Sequence, residues 1–206
     1  MNRLILASAS PRRNDLVSLL GIPFEVRPSS VDEDGLELSG PPSRQAVDAA
    51  LAKASDVALS AGGAWVLGAD TVVCVDGRIL GKPRDAGDAR QMLSLLSGRA
   101  HEVTTGLCLA RLDAPDGTLV THTAYEQTKV WMMPLTPERI DAYVKTGEPM
   151  DKAGSYGIQG IGGTHIPRIE GCYFNVMGLP LYRLARLLEA AGAALDSPMW
   201  KEGGAP

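Results

Sequence analysis

A strand, a turn and the start of a helix follow one another near the N-terminus, in Leu4-Ile5-Leu6-Ala7-Ser8-Ala9-Ser10-Pro11-Arg12-Arg13. The apolar run predicts a short buried strand over Arg3–Ala7, and the two serines and the proline predict a turn. A helix is expected from Pro11 to about Leu20, because Ser10 is a preferred N-cap and proline is favoured at the first helical position.

The same turn has the composition of an anion site. A helix N-terminus presents backbone N–H groups and a positive dipole end, both of which favour a phosphate. Ser8 and Ser10 add hydroxyl donors, and Arg12 and Arg13 add guanidiniums with bidentate geometry for phosphate oxygens. Arginines in a first helical turn oppose the dipole, so two of them suit a site that an anion normally occupies. A capped helix with two solvated arginines explains these residues equally well on their own.

Outward from this unit, strands and helices alternate along the chain. Further strands are predicted over Phe24–Arg27, Trp65–Val75, Arg78–Leu80, 101–112 and 118–132, and further helices over Arg44–Ser60, from an Asp85 cap to Leu96, from Thr136-Pro137 to Gly147 and from Pro180 to about Gly192. Asp76-Gly77 is a strong hairpin signal, and Pro115-Asp116-Gly117 joins the two longest strands. Residues 28–44 and 151–165 predict no clear element. This pattern indicates an α/β protein with a mixed sheet, whose long strands allow two lobes flanking a cleft.

Length and composition limit the classes of protein to which the chain can belong. A chain of 206 residues fits one sizeable domain or a compact two-lobed one, and 193–206 reads as a flexible tail. The net charge of −4 argues against a nucleic-acid partner, although a small anionic ligand needs only a local positive cluster. Three widely spaced cysteines without a C-x-x-C pair indicate neither a zinc knuckle nor a disulfide framework and favour a reducing compartment. No apolar run is long enough for a signal peptide or a membrane span, so we expect a cytoplasmic protein without a membrane partner.

Carboxylates occur at two suggestive places. Asp70, in Gly68-Ala69-Asp70-Thr71, lies along an apolar strand, where an unpaired carboxylate would be costly to bury. It should therefore meet a cation, a metal or a hydrogen-bond network, unless it is a strand-end aspartate in a turn. Asp32-Glu33-Asp34 supplies further carboxylates from a loop, although a solvated acidic loop is the commoner outcome.

Two lysines could complete such a site. Lys53 lies at the edge of its helix's apolar stripe, and Lys82 follows the hairpin in Gly81-Lys82-Pro83; taken singly, each would usually be a surface residue. Together with the two arginines and the carboxylates they match a metal–triphosphate site. Hard cations take oxygen ligands from a few carboxylates and phosphates, while lysine and arginine neutralise the remaining charge.

The segment Asp151-Lys152-Ala153-Gly154-Ser155-Tyr156-Gly157-Ile158-Gln159-Gly160 combines glycines with polar side chains. Its backbone permits close approach to a ligand, or else it is a flexible connection, against which Tyr156 and Ile158 argue. The three histidines, His101, His122 and His165, have no ligand spacing and are expected at the surface or in strands.

Taken in order, the stretches Leu4–Arg13, Gly68–Thr71, Gly81–Pro83 and Asp151–Gly160 resemble the motifs of the Maf family. These are house-cleaning nucleotide pyrophosphatases, historically called septum formation proteins. Shorter matches continue the order at Met92-Leu93, Leu96–Arg99, Thr105-Gly106 and Val176–Pro180, so the resemblance covers about residues 3–190. It implies a fold like that of inosine triphosphate pyrophosphatases, with an elongated mixed sheet and a deep cleft.

The resemblance also implies hydrolysis between the α- and β-phosphates, assisted by Mg²⁺ or Mn²⁺. The family's catalytic aspartate falls on Asp70, its metal-side acidic residue on Glu33, and its phosphate-binding positions on Ser8, Arg13, Lys53 and Lys82. Subfamilies differ at positions that are Arg12, Thr71 and Gln159 here, and this combination resembles the dTTP/UTP branch. The branch acting on 7-methyl-GTP carries an acidic residue in place of the glutamine.

These residues suggest a mechanism. Glu33 and Asp70 would position a divalent cation, and Asp70 would also act as general base towards an attacking water. Gln159 can supply both an N–H and a C=O to the acceptor–donor–acceptor edge of uracil or thymine. Cytosine inverts part of that pattern, so discrimination could reach ~10⁴, whereas the thymine methyl is worth only ~1 kcal/mol.

Two other readings remain open at this point. A nucleotidyltransferase would use a similar basic loop but would need an acceptor substrate, and a non-catalytic nucleotide-binding regulator of division would have little need for a general base. The sequence does not determine the oligomeric state and leaves a homodimer open.

Overall fold

The computed structural model describes residues 4–33, 35–113 and 117–193. Its strands are β1 Leu4–Leu6, β2 Phe24–Val26, β3 Trp65–Val75, β4 Arg78–Leu80, β5 Ala100–Leu112, β6 Leu119–Trp131 and β7 Arg168–Glu170. Its α-helices are α1 Pro11–Ser18, α2 Pro42–Ala58, α3 Ala86–Leu96, α4 Pro137–Lys145, α5 Tyr173–Met177 and α6 Leu181–Ala190. Within these residues no helix combines the length and the apolar character that a membrane crossing requires.

The strands form one mixed sheet in the order β2-β1-β3-β5-β6-β7, with β4 paired to β3. β1 runs parallel to both β2 and β3, whereas β3–β4 and β6–β7 are antiparallel. The predicted α/β class with a mixed sheet is therefore confirmed.

The chain divides into two compact units. Unit 1 comprises Met1–Asp70, Thr105–Glu126 and Gly178–Pro206, and unit 2 comprises Thr71–Thr104 and Gln127–Met177. Each unit has a core of its own, and the deep cleft expected from the sequence stays a prediction.

In unit 1, α2 lies directly on the sheet because glycines and alanines face each other there. A Cβ atom on Gly68 of β3 would come within 2.1 Å of the Ala50 carbonyl oxygen, and one on Gly106 of β5 within 2.3 Å of the Ala46 carbonyl oxygen. The core beside this contact consists of small and branched side chains, among them Val57 and Val66. This close packing fixes where α2 holds its polar residues.

Unit 2 is built around larger apolar side chains from β3, β4, α3, β6 and α4. They include Val73, Leu80, Leu93, Val130 and Tyr143. Tyr156 joins this core from the glycine-rich segment, so that segment is anchored, as its aromatic residue indicated.

Several turns and caps have the chemistry that the sequence predicted. Asp76 and Gly77 take φ angles of 50° and 75°, the left-handed pair that a tight hairpin requires. The Asp85 carboxylate accepts the N–H of Asp88 at 2.8 Å and so caps α3.

Other boundaries differ from the predictions. α1 ends at Ser18 rather than near Leu20, and α2 begins at Pro42, two residues before the predicted Arg44. The predicted turn at 115–117 lies mostly outside the described residues, as does the tail from 194 onward.

The prediction that 151–165 contains no clear element is wrong. Short 3₁₀ helices occupy Glu148–Asp151, Ala153–Ser155 and Ile161–His165. β7 and α5, of three and five residues, were not predicted.

Candidate active site

The bend between β1 and α1 is held by its own serines. Ser8 is buried at the end of β1, and its hydroxyl accepts the backbone N–H of Ser10 at 3.2 Å. Ser10 occupies the N-cap position with extended backbone, as predicted, but its side chain makes no capping hydrogen bond. The Ser8 hydroxyl therefore bonds within the bend itself, immediately before the first turn of α1.

Arg13 connects this bend to the rest of unit 1. Its Nε donates to the Gly178 carbonyl oxygen at 3.0 Å. Burial lowers the pKa of the Arg13 guanidinium, while the carboxylates of Asp70 and Glu33 oppose that effect and neighbouring Arg12 adds to it. Arg13 therefore lies within the electrostatic field of the two carboxylates proposed from the sequence.

Lys53 is the centre of the site in unit 1. Its Nζ donates to Asp70 Oδ1 at 2.6 Å and lies 2.9 Å from Glu33 Oε1. The lysine is only 5% exposed, so the expectation that a lone lysine here is a surface residue is wrong. A buried ammonium needs charged partners, and these two carboxylates provide them.

Asp70 has the charged partner that a carboxylate in an apolar strand was expected to need. The side chain is 18% exposed and pairs with Lys53 instead of being buried alone or solvated at a strand end. Glu33 is more open, at 49% exposure, which leaves one side of the pair accessible to solvent and solutes.

The acidic loop reaches this position because α2 holds it by a second contact. The Ser30 N–H donates to Asp56 Oδ2 at 2.7 Å, and the Ser30 hydroxyl lies 3.0 Å from the same oxygen. Asp56 lies three residues after Lys53 on the helix. Sequence reasoning missed Asp56, because nothing local distinguishes it from an ordinary solvated helix residue. Asp34 lies outside the described residues.

The donor chemistry of Glu33 and Asp70 fits a hard divalent cation. Both carboxylates approach a single cationic nitrogen, and carboxylate oxygens are the ligands that Mg²⁺ and Mn²⁺ prefer. The described part of the chain contains no cluster of three or more His, Cys, Asp or Glu side chains suited to a metal. Two carboxylates suffice for Mg²⁺ when phosphate and water oxygens complete the shell.

The remaining predicted residues belong to unit 2. Thr71 is partly buried on β3, Lys82 is exposed after β4, and Gln159 is exposed between two 3₁₀ helices. The Gly154 N–H donates to the Gly81 carbonyl oxygen at 3.0 Å, so the motif that carries Lys82 is tied to the segment that carries Gln159.

Two of the three histidines, His101 and His165, are buried. His101 is buried in β5, and its Nε2 lies 2.6 Å from the Tyr156 hydroxyl. Burial lowers the pKa of His101 to about 4, which keeps it neutral at physiological pH. His165 ends a 3₁₀ helix and packs edge-on against Tyr143, so its expected place at the surface or in a strand is wrong.

Within unit 1 the fold therefore brings Glu33, Lys53 and Asp70 into contact, and Arg13, in the first turn of α1, interacts electrostatically with both carboxylates. The family profile described as Maf-like protein matches residues 3–191 of this chain. The chain belongs to the Maf family. The family predicted from the motifs is thereby confirmed, over nearly the range that the motifs covered.

Curated relatives match this Maf chain over more than nine-tenths of its length. It is 50% identical over 192 residues to the dTTP/UTP pyrophosphatase of Symbiobacterium thermophilum, covering 93% of this chain and 95% of the relative. The dTTP/UTP pyrophosphatase of Moorella thermoacetica is 49% identical over 193 residues, covering 93% and 96%.

Among solved structures, this Maf chain has more distant likenesses. The Staphylococcus aureus Ham1 protein matches with a TM-score of 0.43 and 15% identity, covering 80% of this chain and 79% of that one. A nucleoside-triphosphatase / dITP/XTP pyrophosphatase from Mycobacterium abscessus matches with a TM-score of 0.37 and 18% identity, covering 70% and 95%.

Proposed function

We propose that this chain hydrolyses dTTP and UTP to the nucleoside monophosphate and pyrophosphate. Relatives that are about half identical over more than nine-tenths of the chain carry that activity in their names. The structural observation that supports it most directly is the buried Lys53 ammonium that joins Asp70 to Glu33 beside Arg13. A phosphoanhydride hydrolase needs this juxtaposition of a base with cations that stabilise developing phosphate charge.

In this proposal Asp70 takes the proton from the water that attacks the triphosphate. The Lys53 ammonium holds the Asp70 carboxylate at 2.6 Å, which fixes its orientation without occupying both oxygens. A positioned carboxylate of this kind contributes roughly 10²–10⁴-fold to a rate by general base catalysis.

The phosphates are bound by cationic and hydroxyl groups. Ser8 and Ser10 contribute the bend at the N-terminus of α1, where an anion is favoured, and Arg13, Lys53 and Lys82 contribute charge. These groups stabilise the charge that accumulates on the pyrophosphate as it leaves.

Glu33 and Asp70 would hold a divalent cation, Mg²⁺ or Mn²⁺, which neutralises charge on the phosphate oxygens when bound. Base selection is assigned to Arg12, Thr71 and Gln159, with the amide of Gln159 reading the pyrimidine edge. Because nucleotide pools are intracellular and the thiols suit a reducing compartment, we assign the protein to the cytoplasm.

The test is a panel of the eight common nucleoside triphosphates, with pyrophosphate detection in the presence and absence of EDTA. We expect dTTP and UTP to be cleaved to monophosphate and pyrophosphate in buffer with metal alone, and EDTA to abolish the reaction. A nucleotidyltransferase would give no pyrophosphate without an acceptor, and a non-catalytic binder would give none under any condition. Equal hydrolysis of all eight nucleotides would contradict the assigned specificity.

A further inference from the structure

Glu148 receives an unusual number of donors for one carboxylate. Its Oε1 accepts the Tyr143 hydroxyl at 2.8 Å and the Gly162 N–H at 2.9 Å, and its Oε2 accepts the Ile161 N–H at 2.9 Å. Burial acts to raise the pKa of Glu148, but these donors and nearby Lys152 outweigh it, so the pKa lies below its ordinary value. The carboxylate is thus ionised and fully engaged at neutral pH.

Tyr143 connects Glu148 to a second part of the glycine-rich segment, at Gly157. Its hydroxyl oxygen, while donating to Glu148, accepts the N–H of Gly157 at 3.2 Å. One Tyr–Glu pair therefore binds backbone groups at Gly157, Ile161 and Gly162. We call Tyr143 and Glu148 the clamp.

The glycines of the segment fit closely against the clamp. A Cβ atom on Gly160 would lie 2.7 Å from Glu148 Oε2, and one on Gly162 would lie 2.4 Å from the Tyr143 hydroxyl oxygen. Gly160 also has a φ of 77°, a conformation that side chains rarely adopt. The backbone on this side is therefore fixed by contact and not only by hydrogen bonds.

Gln159 lies between the residues that the clamp holds. Gly157 is tied two residues before it and Ile161 two residues after it, while Gln159 itself is exposed. We infer that Glu148 and Tyr143 are positioning residues for base selection, which hold the backbone from which Gln159 reads a pyrimidine edge. This inference rests on the proposed function, because it needs a nucleobase that Gln159 recognises.

The physical reason is that recognition by an amide depends on direction. Gln159 discriminates between bases only if its C=O and N–H groups meet matching groups on the base. If the segment were free to turn, these groups could face the base in either direction. The contacts of the clamp described above are made with the backbone of the segment on either side of Gln159. Loss of the clamp should therefore weaken the preference between bases more than the chemistry.

The experiment compares Glu148→Gln and Tyr143→Phe with wild-type protein, using kcat/KM for dTTP and for dCTP. We expect the dTTP-to-dCTP ratio to fall by about tenfold, since lost hydrogen bonds that orient a recognition group are worth on the order of one decade. The fall should come from a higher KM for dTTP, with kcat for dCTP unchanged. Glu170→Gln is the matched control, because Glu170 is exposed in β7 of the same unit and pairs with Arg168.

A double-mutant cycle separates positioning from general structural support. In a Gln159→Ala background, adding Glu148→Gln should leave the dTTP-to-dCTP ratio unchanged, because the orientation of an absent amide no longer matters. If Glu148→Gln does not fold, Tyr143→Phe carries the same comparison with a smaller perturbation, and thermal unfolding of each variant verifies folding.

Three outcomes overturn the inference, and they can be distinguished. A wild-type protein with no preference for dTTP and UTP would overturn the proposed function and this inference with it. A wild-type preference that both clamp variants retain, or a parallel fall of dTTP and dCTP hydrolysis in both, would overturn the inference alone.

Discussion

Replacing Gly68 by alanine should displace the helix that carries Lys53. The added Cβ would lie 2.1 Å from the Ala50 carbonyl oxygen and 2.9 Å from the Ala54 backbone nitrogen, and both belong to α2. Because these are backbone atoms, no side chain can rotate away, and α2 must move by about 1 Å to restore an ordinary contact. Overpacking of this kind costs typically 1–3 kcal/mol, and a backbone clash belongs at the upper end, about 3 kcal/mol.

The same displacement of α2 should also lower the rate of hydrolysis. Lys53 moves with α2 while Asp70 stays on β3, and a misplacement of about 1 Å costs roughly 10²-fold in rate. Urea unfolding gives the stability change, and dTTP hydrolysis at a temperature where the variant is folded gives the rate change. Gly81→Ala is the stability control, because its Cβ would meet nothing within 4 Å, and we expect a change below about 0.5 kcal/mol. A Gly68→Ala protein as stable and as active as wild type would refute the argument that this contact positions Lys53.

Three further predictions concern single side chains. Lys53→Met should lower the free energy of unfolding by about 2 kcal/mol, which is less than for a fully buried pair because Glu33 is half exposed. It should also cut dTTP turnover by at least ~10²-fold. Urea unfolding measures the first effect and pyrophosphate release the second. In wild-type protein, the contribution of His101 to the free energy of unfolding should fall by about 3 kcal/mol as the pH drops from 6.5 to 4. The pKa of His101 in the folded protein is about 4, below that of a histidine in the unfolded chain, so the unfolded chain takes up the proton first as the pH falls. A His101→Gln variant with the same pH dependence would contradict this. Gln159→Glu should reduce kcat/KM for dTTP by ~10² or more while thermal unfolding stays unchanged, since a carboxylate has no N–H to offer a pyrimidine carbonyl.

Local chemistry explains which parts of the fold were predictable. β3 and β4 were predicted to the residue, because a long apolar run and a strong Asp76-Gly77 turn mark their ends. The three-residue β7 gave no periodic signal of its own, since its place is set by pairing with Lys129–Trp131 of β6. Pairing between distant segments is a tertiary property that a local pattern does not contain.

The residues of the candidate site also differ in how far the sequence predicted them. Asp70 could be recognised because a carboxylate in an apolar strand demands a partner, but the partner's identity could not be read locally. Considered singly, Lys53 was expected at the surface, whereas α2 packs closely on Gly68 and Lys53 is buried beside Asp70. Glu148 gave no signal at all, because its partners are backbone N–H groups that any sequence possesses.

The most direct test is the turnover of dTTP by an Asp70→Asn protein whose folding has been verified by circular dichroism and thermal unfolding. Asparagine keeps the size of the side chain but cannot accept a proton from water, so we predict a loss on the order of 10³-fold in kcat. A folded Asp70→Asn protein that turns over dTTP near the wild-type rate would contradict the assignment of Asp70 as the base, and with it the catalytic centre proposed around Lys53.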